Sequence, residues 1–357
     1  MFKERLKAAR IRAGLSLRDL QAKIEDKVTA QAIGKYERGE MQPSPHILEL
    51  LATALGVQKE SLVSTHSIQL GAIEFRENKL IRSKSDEKIV NSTISYHLMR
   101  YLKIEELVDV TMREWDKPRG YPFQVKDFHE AEWAAHKMRD DWSLGNDSIV
   151  NLCEFLEERG FKVILVDLPA SIAGVTCFVA NNITGKTPVI VTSKAITGER
   201  QRFTIAHELG HLLLEFKDIN INVERACDKF ASAFLMPERV MREALGNSRK
   251  TVSVGELVAL KKFLGVSVQA LTYRAKDLGI ISEYSYKMLY SEFSKRGWLK
   301  PPYAEPFTIQ LEEPQRFKRL CFRALAEEII DESAAADLLD LQVDQIRREY
   351  NAEELTH

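Results

Sequence analysis

Apolar residues recur at helical spacing along most of this chain, and short unbroken apolar runs, the mark of buried strands, gather between residues 161 and 192. Leu6, Ala9, Ala13 and Leu15 open the helical pattern. Residues 16–24 and 29–37 read as two short helices, with Ser16 suited to cap the first and Gly39 to close the second. Pro43-Ser44-Pro45 leads into a further helix over 46–55, ended by Gly56. Residues 64–126 change character: a short strand within 68–76, a polar, hinge-like Ser83-Lys84-Ser85-Asp86, then a helix over 89–110. Helices over 127–142 and 149–159 follow. A buried strand over 161–166 comes next, then two runs, 175–179 and 189–192, that pair across a turn at 181–186. The 189–192 run is the expected edge strand, where an extended peptide could add by main-chain hydrogen bonds. Beyond residue 239 the pattern is almost wholly helical, over 253–264, 268–278, 282–296 and, after Pro301-Pro302, 313–350. The predicted fold class is mostly α with a small β-sheet (α+β), divided at 1–63, 64–126, 127–240 and 241–357.

The segment His207-Glu208-Leu209-Gly210-His211 carries the clearest chemistry. At about 100° per residue, the two imidazoles fall on one helix face, while Ile205, Leu209, Leu212 and Leu213 form the opposite, core-facing arc. Two histidines one turn apart suit a zinc ion, and Glu208, to one side of them, suits a general base that takes a proton from the nucleophilic water. Zinc would lower the pKa of that water from ~16 to about 7. A catalytic zinc needs a third protein ligand. Asn222 is a plausible N-cap for a following helix whose buried stripe is Val223, Cys227, Phe230, Ala231 and Phe234. Glu224 and Asp228, at i and i+4, then share a face turned back toward the histidines. Glu224 is the expected third ligand, and Asp228 the acceptor for the free N–H of a liganding histidine. Met236-Pro237 ends that helix.

The first 63 residues suggest a helix-turn-helix domain that reads DNA, the second helix entering the major groove. Residues 1–40 hold ten Lys/Arg against six Asp/Glu, so positive charge is concentrated where phosphate contacts are wanted. Thr29, Gln31 and Lys35 are the side chains expected to reach DNA. The string Gly-Leu-Ser-Leu-Arg-Asp-Leu, then Ala-Ile-Gly-Lys-Tyr-Glu-Arg-Gly-Glu, Pro-Ser and Leu-Ala-Thr-Ala-Leu-Gly-Val resembles the Cro/repressor-type helix-turn-helix family. It departs at the turn, where Glu25-Asp26-Lys27 replaces the usual single glycine, and at Gln21, which replaces the usual alanine.

Composition sets bounds on these readings. The 357 residues allow two or three domains, and 45% hydrophobic with 29% charged residues is a soluble globular balance. A net charge of −1 excludes a uniformly basic nucleic-acid coat, so DNA contact must be local. The four cysteines, Cys153, Cys177, Cys227 and Cys321, are dispersed and read as reduced core residues of a cytoplasmic protein. The basic N-terminus lacks the apolar run of a secretory signal, and the longest apolar region, 163–180, is broken by Asp167 and Pro169, so no membrane span is expected.

Arg202-Phe-Thr-Ile-Ala-His-Glu-Leu-Gly-His-Leu-Leu-Leu, followed by Phe230-Ala-Ser-Ala-Phe-Leu-Met-Pro237, resembles the ImmA/IrrE family of zinc metallopeptidases, most specifically over residues 161–240. With the N-terminal domain, the layout resembles regulators that fuse a Cro/repressor-type domain to such a peptidase. The resemblance implies a zincin-like domain over 127–240 and, as substrate, a repressor or regulatory protein cleaved to switch on a mobile-element or stress programme. Similar fusions also occur as antitoxins beside a toxin gene. In the family an asparagine often stands where this chain has Asp228, a change that keeps an acceptor. Two readings follow: an endopeptidase held at an operator, or an autorepressing antitoxin that neutralises a partner toxin by contact. Operator DNA is a partner in both, and a homodimer is open to both.

Overall fold

The computed structural model describes residues 2–57, 59–63, 73–75, 83–110, 114–181, 185–217, 221–301 and 303–351. The expected strand within 68–76 is described only at Ile73–Phe75, and the middle of the expected turn at 181–186 lies outside the described residues.

The N-terminal helices are α1 (Phe2–Arg12), α2 (Leu17–Lys23), α3 (Ala30–Arg38), α4 (Pro45–Leu55) and α5 (Lys59–Val63). Their ends are set by local side-chain chemistry. Ser16 and Asp19 form a reciprocal capping box, Thr29 and Ser44 cap the next two helices, and Gly39 and Gly56 close them in left-handed conformation. Leu6, Leu20, Ile33 and Leu51 are fully buried between these helices. The long turn is accommodated by two successive left-handed residues, Glu25 (φ 53°) and Asp26 (φ 55°). Gln21 braces it, donating to Asp26 Oδ1 at 2.7 Å and accepting the Ala30 amide at 2.7 Å. Arg10 ties α1 to α3 through a two-pronged pair with Glu37 at 2.6 and 2.8 Å.

Next come β1 (Ile73–Phe75), α6 (Lys84–Leu107), β2 (Phe123–Val125), α7 (Phe128–Asp141), α8 (Leu152–Glu158), β3 (Lys162–Val166), β4 (Gly174–Asn181), β5 (Gly185–Ser193), α9 (Gly198–Leu213), β6 (Leu214–Phe216) and α10 (Val223–Leu235). In the Ser83–Asp86 stretch, Ser83 Oγ accepts the Ser85 and Asp86 amides and caps the 24-residue α6. The main sheet has the order β1-β4-β5-β3, with β4 antiparallel to β5 and β3 parallel to it. The 189–192 run is therefore a central strand and not the edge. Its consecutive Val189, Ile190 and Val191 are each fully buried, as a strand covered on both faces requires. Valines 175 and 179 and Cys177 meet Val90, Ile94 and Leu98 of α6 on one face, while α9 covers the other. A second, two-stranded sheet pairs β2 parallel to β6, Phe123 opposite Leu214.

The remaining helices are α11 (Glu238–Leu245), α12 (Val254–Leu264), α13 (Val268–Asp277), α14 (Glu283–Lys295), α15 (Arg316–Ala326), α16 (Glu332–Leu339) and α17 (Val343–Tyr350). One hydrophobic core runs from Trp115 to Trp298 and takes in α7–α10 together with α12–α14. A buried ion network fastens α13 to the helices beneath it: Arg274, fully buried, meets Glu132 of α7 at 2.5 Å, and Lys229 of α10 meets both Glu132 (2.7 Å) and Asp277 (2.5 Å).

The extended chain before α15 is stitched to the start of α9. Gln201 exchanges hydrogen bonds with the Glu312 backbone at 2.7 and 2.8 Å, and Glu199 accepts the Ile309 amide at 3.1 Å. A Cβ at Gly198 would collide with the Ile309 and Gln310 carbonyls, so the approach requires glycine. The capping across this seam is reciprocal. Glu312 accepts the first amides of α8, from Leu152 and Cys153, while Glu157 of α8 accepts those of Gln315 and Arg316 at the start of α15.

Candidate metal centre

Helix α9 begins at a Thr197 cap and presents its apolar face, Ile205, Leu209, Leu212 and Leu213, to the core. That burial fixes the rotation of the helix. His207 and His211 then stand one turn apart on the other side, partly exposed, with Nε2 atoms 3.1 Å apart.

Helix α10 crosses close to them because Gly210 has no side chain. A Cβ there would lie 3.3 Å from the Cys227 Cα and 3.3 Å from the Phe230 ring. Asn222 caps α10 through the Arg225 amide, which places Glu224 in its first turn. Glu224 Oε2 lies 3.3 Å from His207 Nε2 and Oε1 lies 3.5 Å from His211 Nε2. Asp228, one turn on, sets Oδ1 2.8 Å from His207 Nδ1. The structure thus brings together His207, His211, Glu224 and Asp228, the metal ligands and the supporting carboxylate expected from the sequence.

Donor atoms of His207, His211 and Glu224 lie within 4.8 Å of one another. Four ligands arranged tetrahedrally at zinc–ligand distances of 2.0–2.1 Å are separated by about 3.3 Å, close to the 3.1, 3.3 and 3.5 Å found here. Two imidazole nitrogens facing each other at 3.1 Å, with a carboxylate beside both, are a donor set that a divalent cation fits.

The electrostatics agree. Burial pushes the His207 imidazolium down, but hydrogen bonds to Asp228 and Glu224 and the Glu208 charge outweigh it and carry the pKa up to about 10. Hydrogen bonds from His207 and His211 hold the Glu224 carboxyl below the usual carboxylate range.

Glu208 is 4% exposed, and burial raises its carboxyl above the usual range, against the pull of His211 and His207. It lies under the start of β4, where a Cβ at Gly174 would come within 3.3 Å of Glu208 Cγ and would collide with Thr204 Cγ2. Gly174 and Gly210 are the residues that sequence reasoning passed over. The Gly210 signal was present, a glycine inside the helical histidine motif that costs helix stability unless packing needs it.

In the N-terminal domain, Thr29, Gln31 and Lys35 all lie exposed on or beside α3. The Thr29 hydroxyl oxygen is engaged as the helix cap, accepting the Ala32 amide at 3.2 Å.

Comparison with known proteins follows the same division. Residues 156–276 match the Peptidase_M78 family, described as an IrrE N-terminal-like domain, and residues 6–62 match the HTH_3 family, described as a helix-turn-helix. A stretch of 71 residues is 38% identical to the radiation response metalloprotease IrrE of Deinococcus radiodurans, covering 16% of this chain and 22% of that protein. The likeness thus spans about a fifth of that relative's length. No described helix is long and apolar enough to cross a membrane.

Proposed function

We propose that this chain, which joins an N-terminal helix-turn-helix domain to an IrrE-like domain, is a DNA-binding regulator and a zinc-dependent endopeptidase acting on a regulatory protein. The observation that carries the reading is the cluster of His207 Nε2, His211 Nε2 and a Glu224 carboxylate at 3.1 to 3.5 Å, with Asp228 fixing the first ring. His207, His211 and Glu224 hold the metal. Zinc, when bound, supplies Lewis acidity and lowers the pKa of water at the site.

The chain's own groups do the rest. Asp228 accepts a hydrogen bond from the His207 Nδ1–H, which leaves Nε2 as a lone-pair donor. Glu208 takes a proton from the attacking water as its oxygen bonds to the scissile carbonyl carbon. It then delivers that proton to the departing amide nitrogen as the C–N bond breaks. Its burial and raised affinity for a proton suit both halves of that transfer. Thr29, Gln31 and Lys35 contact operator DNA. The substrate is a repressor-like protein, and the radiation-response role named for the IrrE relative supports a stress-linked programme.

The test begins with metal content. Purified protein holds about one zinc per chain, and His207→Ala loses it. Glu208→Gln keeps the zinc and loses function in the cell. A chain that stays metal-free under zinc-replete conditions overturns the peptidase. A fully functional Glu208→Gln protein would point instead to a regulator that acts by binding, as an antitoxin does.

A further inference from the structure

We infer that β1 is an internal competitor for the substrate strand, seated on the same edge of β4 that leads to the metal centre. The inference rests on the peptidase reading and identifies how that site is held in check. With β5 on one side of β4, the side of β4 left for a further strand is the other one. Its first residue, Gly174, lies where a Cβ would be 3.3 Å from Glu208 Cγ. An extended peptide cleaved beside Glu208 would lie along this edge, as strands add to exposed edges elsewhere.

Part of the edge is already taken. Ile73, Glu74 and Phe75 pair antiparallel with Val179, Phe178 and Cys177. Among the described residues, Gly174, Val175 and Thr176 have no strand partner on that side. The direction matters as much as the position. β1 runs from opposite Val179 to opposite Cys177, and so toward Gly174 and Glu208. It occupies the line that the residues preceding a scissile bond would occupy.

Each β4 amide and carbonyl on that edge serves one ladder at a time. A substrate strand reaching from Gly174 past Cys177 must displace β1. Three residues make a short ladder, and covalent attachment holds them at high effective concentration. The competitor is thus weak enough to leave and always present.

The test uses full-length, zinc-loaded protein and two probes: an acetylated leucine–alanine hexapeptide ending in a hydroxamate, and acetohydroxamate, which meets the metal but has no strand. Glu74→Pro, which breaks the β1 ladder, tightens the hexapeptide hydroxamate by about tenfold and leaves acetohydroxamate unchanged. In the native chain, binding the hexapeptide speeds deuterium exchange at amides 73–75 while amides 174–176 become protected. A second variant, Glu74→Cys with Phe178→Cys, loses hexapeptide binding when oxidised and regains it on reduction. Equal hexapeptide affinity in the native and Glu74→Pro proteins, with exchange at 73–75 unchanged on binding, overturns the inference. Zinc-loaded protein that binds neither hydroxamate overturns the peptidase reading instead.

Discussion

Asp228 Oδ1 lies 2.8 Å from Nδ1 of His207, and the opposite nitrogen of that ring faces His211 and Glu224. The contact fixes both the tautomer and the tilt of the ring before any metal arrives. Removing it with Asp228→Ala should weaken zinc binding about 10–100-fold without unfolding the chain. Competition with a chromophoric chelator measures this. Asp228→Asn, which keeps an acceptor oxygen, should retain most of the affinity.

Glu208 is buried beside the metal-binding face yet is separate from the donor cluster. Glu208→Gln should therefore bind zinc as the native protein does while slowing peptide cleavage by about 10²–10⁴-fold, the usual range for a lost general base. Zinc stoichiometry and single-turnover rates check the two halves separately. Parallel loss of both would show that Glu208 is structural.

Gly174→Ala brings a methyl group against Thr204 and Glu208. β4 and α9 must separate to admit it, which should cost about 1–3 kcal/mol of stability. Cleavage should fall with zinc retained, since the methyl group meets Thr204 and Glu208 first and none of His207, His211 and Glu224. Urea unfolding and metal analysis of the variant decide the matter.

Burial raises the Glu157 carboxyl from 4.5 to about 7, although two backbone amides of the α15 start point at it. The folded chain therefore holds this proton more tightly than the unfolded chain does. Its contribution to stability is full below pH 4.5 and is lost as pH rises through 7, by up to about 3 kcal/mol. Glu157→Gln keeps an acceptor for the two amides and removes the titration. The stability difference between variant and native protein should shift in favour of the variant from pH 4.5 to 8. A difference that stays flat across that range refutes the assignment.

Lys35 and Gln31 project from the exposed face of α3 and should separate in their effects. Lys35→Ala should weaken binding to all DNA sequences alike and lower the salt slope by about one, while Gln31→Ala should relax preference at one base pair. Fluorescence anisotropy over a salt series, with matched and mismatched duplexes, distinguishes them.

What could be read in the sequence was what neighbouring residues decide. Ser16, Gly39 and Asn222 announce helix ends through contacts within four residues, and the histidine pair and Glu224/Asp228 follow from helical spacing alone. What could not be read depends on partners far along the chain. The order of the sheet is one such case: the run at 189–192 became central because β3 pairs alongside it, 27 residues before in register. The parallel pairing of β2 with β6 and the placing of β1 on β4 are others. Capping of α8 by Glu312 and of α15 by Glu157 spans about 160 positions, beyond any local pattern. A signal for the central strand was there in Val189-Ile190-Val191, whose lack of alternation argues against a one-sided edge.

Helix α6 meets the N-terminal helices, the main sheet and the C-terminal helices. Near its start Ser92 donates to the Ala8 carbonyl at 3.0 Å and Arg12 stacks 3.6 Å over the Tyr96 ring. Val90, Ile94 and Leu98 back the main sheet, Tyr101 and Ile104 pack against α15, and Arg100 and Tyr96 both reach Asp340. At 24 residues it is a rod of about 36 Å, close to one turn of the double helix. A continuous line of packed elements therefore joins the N-terminal helices to the main sheet. α3 packs on α1, α1 packs on α6, and α6 is the backing plate of the strand beside Glu208. Exchanging the N-terminal module for another would preserve the setting of α6 only if the graft reproduced the α1 surface that includes Ala8 and Arg12.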